Sequence, residues 1–285
     1  MGARTRRSRA DDRANAVSTL TVGGRRVEQT RLGTGPPLLY LHGLADVHSL
    51  FAPDDRAPLV DALAAHREVL TVALPGYGAS DPLAPAADLE EHSFALADLL
   101  DELGLDRVDV VGTCFGGWMA AELALRHPGR IGRLALVAPL GLHVPGAAGA
   151  AFFGAAAPRG IGGFGEVRAV LFADPDSPAA LAALPEEPDR DRALRWFSGL
   201  AAAAARGWTA PQLCDRRLGA RLHRIAAPTL LVWGAEDRMT PVAHAHAWLQ
   251  GLPAARLEVV DGAGHCVHLE DPGRVTSLVV DFLTD

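Results

Sequence analysis

The sequence predicts an α/β protein: a mostly parallel twisted sheet with helices on both faces, an N-terminal antiparallel hairpin, and a helical cap inserted late in the chain. Three observations carry that prediction. Short apolar runs alternate with amphipathic stretches over most of the length, as strands joined by crossover helices do. Gly23-Gly24 separates two strand-like runs and marks a two-residue turn. A block at 143–218, rich in Ala, Gly and Pro, then breaks the alternation with no strand signal of its own.

Residues 17–22 and 25–31 are the predicted hairpin arms. A short apolar strand at 37–41 ends in His42-Gly43, and a helical stretch follows around 50–66. The next strand, 69–74, is closed by Pro75-Gly76-Tyr77-Gly78. Helical spacing over 90–103 places Phe94, Leu96, Leu99, Leu100 and Leu103 on one face. A strand at 107–111 leads into a helix at 115–127, and further strands are predicted at 131–137, 229–233 and 256–260. A helix at 272–283 closes the chain, and helical pieces fall at 178–183 and 189–206 within the inserted block. The expected division is a solvated tail at 1–16, a core at 17–142 and 219–285, and a cap at 143–218. Long insertions between core elements tend to be lids, and Phe152, Phe153, Trp196, Phe197 and Trp208 in this one are candidates to line an apolar pocket.

Composition narrows the function. The chain has 285 residues, 49% of them hydrophobic, enough for a large core. Its 27 basic residues against 34 acidic give a net charge of −7, which argues against a nucleic-acid partner. Every basic residue is arginine, so a lysine Schiff base or a P-loop lysine is excluded. The three cysteines, Cys114, Cys214 and Cys266, cannot form a fully paired framework and suit a reducing compartment. The first residues lack an apolar run after Arg6-Arg7, so no signal peptide is read there. The uncharged stretch 134–158 is broken by Pro139 and Pro145, which reads as a strand and loop, not a membrane span. The expectation is a cytoplasmic protein with no membrane partner.

The strongest local signal is Val110-Val111-Gly112-Thr113-Cys114-Phe115-Gly116-Gly117. A strand ends, a helix begins, and glycines sit two residues either side of Cys114. Such a sharp turn strains the middle residue and exposes its side chain, and only very small neighbours avoid a clash. Backbone N–H groups at a helix N-terminus also favour negative charge, which suits a thiolate nucleophile. A base is expected from His265, which follows the last strand in Asp261-Gly262-Ala263-Gly264-His265, at the sheet edge where α/β proteins collect functional groups. The acid is expected after the strand at 229–233, from Glu236 or Asp237. The acid would fix the His265 tautomer and stabilise its imidazolium.

Five pieces in order make the chain resemble the α/β-hydrolase family from about residue 17 onward. They are Leu41-His42-Gly43, Leu74 to Ser80, the elbow at 112–116, Trp233-Gly234 with Asp237 and Pro241, and Gly264-His265 with Glu270 and Pro272. The resemblance implies a nucleophile–acid–base triad of Cys114, Asp237 and His265, the spacing to Pro241 choosing Asp237 over Glu236. It implies an acyl-enzyme mechanism with an oxyanion hole built from the backbone N–H groups of Leu44 and Phe115. His42 is expected to hold its loop. A cysteine nucleophile is similar to that of the dienelactone hydrolase branch, while the surrounding motifs look more like lidded serine hydrolases and lactonases. Cys266 stands where ring-cleavage C–C hydrolases commonly carry Trp, which counts against that reading.

No C-x-x-C or H-E-x-x-H motif occurs, so neither a metal nor another cofactor is expected despite the run His265-Cys266-Val267-His268. A thiol attacking an ordinary ester forms a less stable thioester, so an activated ester, lactone or thioester is the expected small-molecule acyl substrate. Acyl transfer or cyclisation on a carrier-bound or CoA-bound chain, C–C bond hydrolysis, and a non-enzymatic ligand receptor on the same fold stay open.

Overall fold

The computed structural model describes residues 17–43, 56–84, 87–145, 151–156, 164–207 and 213–285. Its strands are β1 (Ser18–Val22), β2 (Arg25–Leu32), β3 (Pro37–Leu41), β4 (Glu68–Val72), β5 (Val108–Thr113), β6 (Ile131–Val137), β7 (Gly141–Leu142), β8 (Cys214–Asp215), β9 (Thr229–Gly234) and β10 (Ala255–Val260). Eight of them form one sheet in the order β1-β2-β4-β3-β5-β6-β9-β10. The β1–β2 hairpin turns at Gly23 and Gly24, both at positive φ, and β2 pairs antiparallel with β4. All the remaining pairs of this sheet are parallel. The fold class read from the sequence is therefore the one observed.

Its helices are α1 (Pro58–Ala64), α2 (Leu89–Glu102), α3 (Cys114–Arg126), α4 (Ala151–Ala156), α5 (Gly165–Leu171), α6 (Pro178–Ala183), α7 (Arg190–Gly207), α8 (Val242–Gly251), α9 (Val267–Glu270) and α10 (Pro272–Thr284). The parallel strands are apolar on both faces because both are covered. In β3, Leu39 and Leu41 enter one core while Leu38 and Tyr40 enter the other. In β9, Leu231 and Trp233 likewise oppose Leu230 and Val232. The first core is completed by α2, α3 and α8 through residues such as Leu100, Met119 and Trp248. The second is completed by α1 and α10 through Leu63, Val279 and Phe282. Arg67 joins the second layer to the sheet, donating to Asp109 Oδ2 at 2.9 Å and to the carbonyl of Leu283.

Strand order sets the position of the site. The chain leaves β3 toward β4 on one side and returns to β5 on the other, so the direction of winding reverses at β3 and β5. A crevice opens at the carboxyl ends of strands at such a reversal. His42-Gly43 and Cys114 follow those two strand ends.

Four sequence expectations need correction. The helix expected at 50–66 is seen as Pro58–Ala64, residues 44–55 lying outside the described ones. Phe94 was expected on the buried face of α2, but it is 44% exposed and packs edge-on against His127; the buried face runs instead through His92, Ser93, Leu96, Ala97, Leu99 and Leu100. The inserted block does contain a strand, β8, which pairs with β7 in a two-stranded parallel ladder. It also contains α5, whose Val167 and Leu171 are buried, where no helix was read.

Leu39 is fully buried at the centre of the sheet. Leu39→Ala is expected to lower unfolding stability by about 2–5 kcal/mol, the usual cost of removing a buried leucine side chain. Urea denaturation followed by circular dichroism measures it, and an unchanged midpoint would contradict this packing.

Candidate active site

The tightest backbone in the site lies where β5 becomes α3. Cys114 has φ of 50°, a left-handed conformation that non-glycine residues adopt at a cost of about 1–3 kcal/mol. Close packing holds it there. A Cβ on Gly112 would sit 2.6 Å from the carbonyl oxygen of Gly116, and one on Gly116 would sit 2.1 Å from that of Leu41. The glycines therefore let the helix start press directly against β3. Phe115 anchors the first turn, buried between the rings of His92 and Trp118. Cys114 itself remains partly exposed.

The acid and base come from two adjacent strand ends. Asp237 follows β9, and its carboxylate is enclosed by donors. Oδ1 accepts from the backbone N–H groups of Met239 at 2.8 Å and Thr240 at 2.7 Å. Oδ2 accepts from the Thr240 hydroxyl at 2.7 Å and from His265 Nδ1 at 2.9 Å. Trp233 Nε1 donates to the Thr240 carbonyl at 2.7 Å and so fixes the acid loop to the core. His265 follows β10, is 3% exposed, and holds Asp237 through Nδ1 while Cys114 lies within hydrogen-bonding reach of the ring. Burial alone would disfavour a charged imidazole here. The charge of Asp237, the neighbouring Cys114 and hydrogen bonds to both outweigh it and push the His265 pKa up to about 10. Asp237 thus fixes the proton on Nδ1.

The loop after β3 completes the enclosure. A Cβ on Gly43 would lie 3.4 Å from Cys114 Cβ and 3.9 Å from its Sγ, so the Gly43 backbone borders the Cys114 side chain. His42 holds this loop. Its Nε2 accepts from Leu74 N–H at 3.0 Å and its Nδ1 donates to the Gly43 carbonyl at 2.7 Å. That pattern requires a neutral ring, and burial lowers the His42 pKa to about 4.

Cys114, Asp237 and His265 are thus brought to the same end of the sheet, with His265 between the acid and the sulfur. Glu236, the alternative acid, is exposed. Phe115 lies at the helix start as expected for a donor to an oxyanion, while Leu44 lies outside the described residues. Of the pocket candidates, Phe152 and Trp196 are buried, Trp196 edge-on to Phe164 at 5.2 Å. Phe197 is 51% exposed and so does not line a pocket among the described residues. The Phe153 side chain and Trp208 lie outside what is described. Cys266 is buried beside His265, and Cys214 lies 3.9 Å from His143 Nδ1. Among the described residues no group of three or more His, Cys, Asp or Glu side chains is placed to hold a metal ion. No helix among them is long and apolar enough to cross a membrane.

Sequence reasoning missed Thr240, whose hydroxyl lies between Asp237 and His265 Nδ1, 3.2 Å from the latter. Its place three residues beyond the acid, ahead of Pro241, was the available signal. It also left Arg238 and Glu270 without a role. Arg238 donates to the Phe172 carbonyl at 2.7 Å, and Glu270 accepts from Gly264 N–H at 2.7 Å.

Residues 36–272 match the family model described as alpha/beta hydrolase fold. The chain is 32% identical over 269 residues to 2-hydroxy-6-oxononadienedioate/2-hydroxy-6-oxononatrienedioate hydrolase 2 of Pseudomonas putida, covering 88% of this chain and 89% of that one. It is 34% identical over 269 residues to the polyketide synthase ThaQ of Burkholderia thailandensis, covering 92% of this chain but 12% of that much longer one. The meta-cleavage product hydrolase CumD of Pseudomonas fluorescens IP01 superposes with a TM-score of 0.77 at 20% identity, over 95% of this chain and 98% of that one. At that identity the likeness shows the fold.

His42 gives a pH-dependent prediction. Held near 4 in the folded state and about 6.5 unfolded, it takes up a proton more readily when unfolded, so the stability it contributes is present above pH 6.5 and lost as pH falls toward 4. His42→Gln is expected to lower the melting temperature at pH 7.5, with the gap from the parent protein narrowing between pH 6.5 and 4. A gap that stays constant across that range would rule out a buried neutral His42.

Proposed function

This chain belongs to the alpha/beta hydrolase fold family, and we propose that it hydrolyses acyl compounds whose leaving group departs as a stabilised anion, through an acyl group carried on Cys114. The observation that carries this reading is a strained, partly exposed cysteine at the β5–α3 junction in electrostatic reach of the buried His265–Asp237 pair.

The thiolate of Cys114 attacks the substrate carbonyl, forming a C–S bond. The oxyanion is met by the backbone N–H of Phe115 and by that of Leu44. As the intermediate collapses, the bond to the leaving group breaks and His265 Nε2 gives that group its proton. Water then attacks the thioester, His265 takes the water proton, and cleavage of the C–S bond releases the acid and regenerates the thiolate. Asp237 and Thr240 keep His265 oriented through both halves. We read the described parts of the insert, 143–145, 151–156, 164–207 and 213–218, as a lid to the site.

The choice of leaving group follows from the sulfur. A thiolate is itself a good leaving group, so the tetrahedral intermediate returns to substrate unless the other group leaves at least as well. Thiolates and enolates meet that condition and simple alkoxides do not, while a conjugated carbanion meets it only when protonated as it departs, a proton His265 Nε2 supplies. The P. putida relative favours the carbanion class over the ester and lactone class. A 6-oxo dienedioate, the compound in that relative's name, carries no ester or lactone, which supports carbon–carbon bond hydrolysis as the reading here. Thioesters are the second reading, supported by the sulfur chemistry of Cys114 and by the likeness to a polyketide synthase, a class of enzyme that handles thioester-bound chains.

Two measurements test the proposal. A panel of vinylogous diketones, thioesters, enol lactones and simple alkyl esters, followed by intact mass, should trap an acyl adduct that Cys114→Ala abolishes, with alkyl esters the slowest. Turnover by Cys114→Ala at the parent rate would eliminate the nucleophile assignment. Iodoacetamide should alkylate Cys114 faster than Cys214, whose thiol burial pushes up in pKa. Equal rates would speak against an activated sulfur.

A further inference from the structure

The mechanism makes no use of Arg238 and Glu270, yet both sit directly beside the acid and the base. They converge on one stretch of the insert, residues 169–173, at the end of α5. Arg238 Nη1 donates to the carbonyls of Ala169 at 3.0 Å and Phe172 at 2.7 Å, and Nη2 donates to that of Ala173 at 3.1 Å. From the base loop, Cys266 N–H donates to the Leu171 carbonyl at 2.9 Å. Glu270 bridges the two: Oε1 accepts from Ala173 N–H and Oε2 from Gly264 N–H, both at 2.7 Å. Gly264 itself is required by this contact, since a Cβ there would lie 2.7 Å from Ala173 N and 2.8 Å from the Phe172 carbonyl carbon.

Each loop is therefore held within one residue of its functional side chain. Arg238 follows Asp237, while Gly264 and Cys266 flank His265. Phe172 is fully buried, so the stretch they grip is itself fixed in the core. Between the acid and base loops, Glu236 N–H donates to the Ala263 carbonyl at 2.9 Å, and a Cβ on Gly234 would lie 2.1 Å from the Gly264 carbonyl oxygen. The insert, the acid loop and the base loop form a closed mechanical ring.

We infer that Glu270 and Arg238 are positioning residues that lock the end of α5 to the acid and base loops and so set the His265–Asp237 hydrogen bond. A carboxylate suits the Glu270 position because both its neighbours donate. An amide would turn an N–H₂ group toward one of two N–H donors. Arginine suits position 238 because its planar fork serves three carbonyls at once, which a lysine ammonium on a flexible stem cannot match with the same preorganisation.

The inference rests on the proposed triad, and its test separates the two. Glu270→Gln and Arg238→Lys are prepared in the full chain, and far-UV circular dichroism checks that each folds. Both should lower kcat about ten- to hundredfold with KM changed less than about twofold, because a misplaced base loses rate more than binding. In the resting protein, the low-field proton resonance of His265 Nδ1–H should move upfield or broaden in both variants. Parent-like kcat and an unmoved resonance in Arg238→Lys, the milder and more exposed change, would overturn the positioning role. A disturbed resonance in both variants would support it even if Cys114→Ala kept full activity, a result that would overturn only the nucleophile assignment.

Discussion

The geometry of the site depends on one backbone constraint, the left-handed conformation of Cys114 at the end of β5. A residue there can be strained only if its surroundings leave no alternative, and here the enclosure comes from glycine. Gly112 and Gly116 remove the two methyl groups that would otherwise separate the start of α3 from β3 and from its own turn. The strain is thus sustained by the packing of the entire central sheet, and a local loop could not store it. The same close approach brings the Gly43 backbone beside Cys114, so the turn after β5 and the segment after β3 are placed by a single contact between adjacent strands.

Around that fixed point, electrostatics and burial act in opposition. Burying His265 disfavours its charge, while the Asp237 carboxylate and the adjacent Cys114 favour it. His42 shows the other outcome: equally enclosed and without a carboxylate partner, it stays neutral and serves as a hinge pin for its loop. Two histidines in one crevice therefore take different protonation states, and the difference traces to which side chains surround each ring.

How legible this was depended on the range of each signal. The elbow could be read because every residue it needs lies between positions 112 and 116. The parallel strands could be read because burial on both faces leaves near-continuous apolar runs such as Leu230-Leu231-Val232-Trp233. Strand β8 could not, since two residues have no periodicity and its pairing with Gly141 and Leu142 spans the insert. Phe94 was misplaced because apolar spacing does not choose between a helix's core face and an adjoining surface, and the buried small and polar residues Ser93, Ala97 and His92 decided that choice. Arg238 and Glu270 were visible as residues but not in their roles. Their partners in the insert are backbone atoms 65–97 positions away, and nothing in Leu171-Phe172-Ala173 advertises a carbonyl or an amide as a target.

The small β7–β8 ladder has a consequence for how this protein can change. By pairing Gly141 and Leu142 with Cys214 and Asp215, it ties together the two points where the insert leaves and re-enters the core. Everything between is a loop closed at its neck, and lengthening a closed loop costs only logarithmically in entropy. The segment behaves as an exchangeable cassette. Length can change between its buried segments while the sheet keeps its register, because Phe152, Phe172, Ala180 and Trp196 pack it into the main core and the ladder holds its ends together.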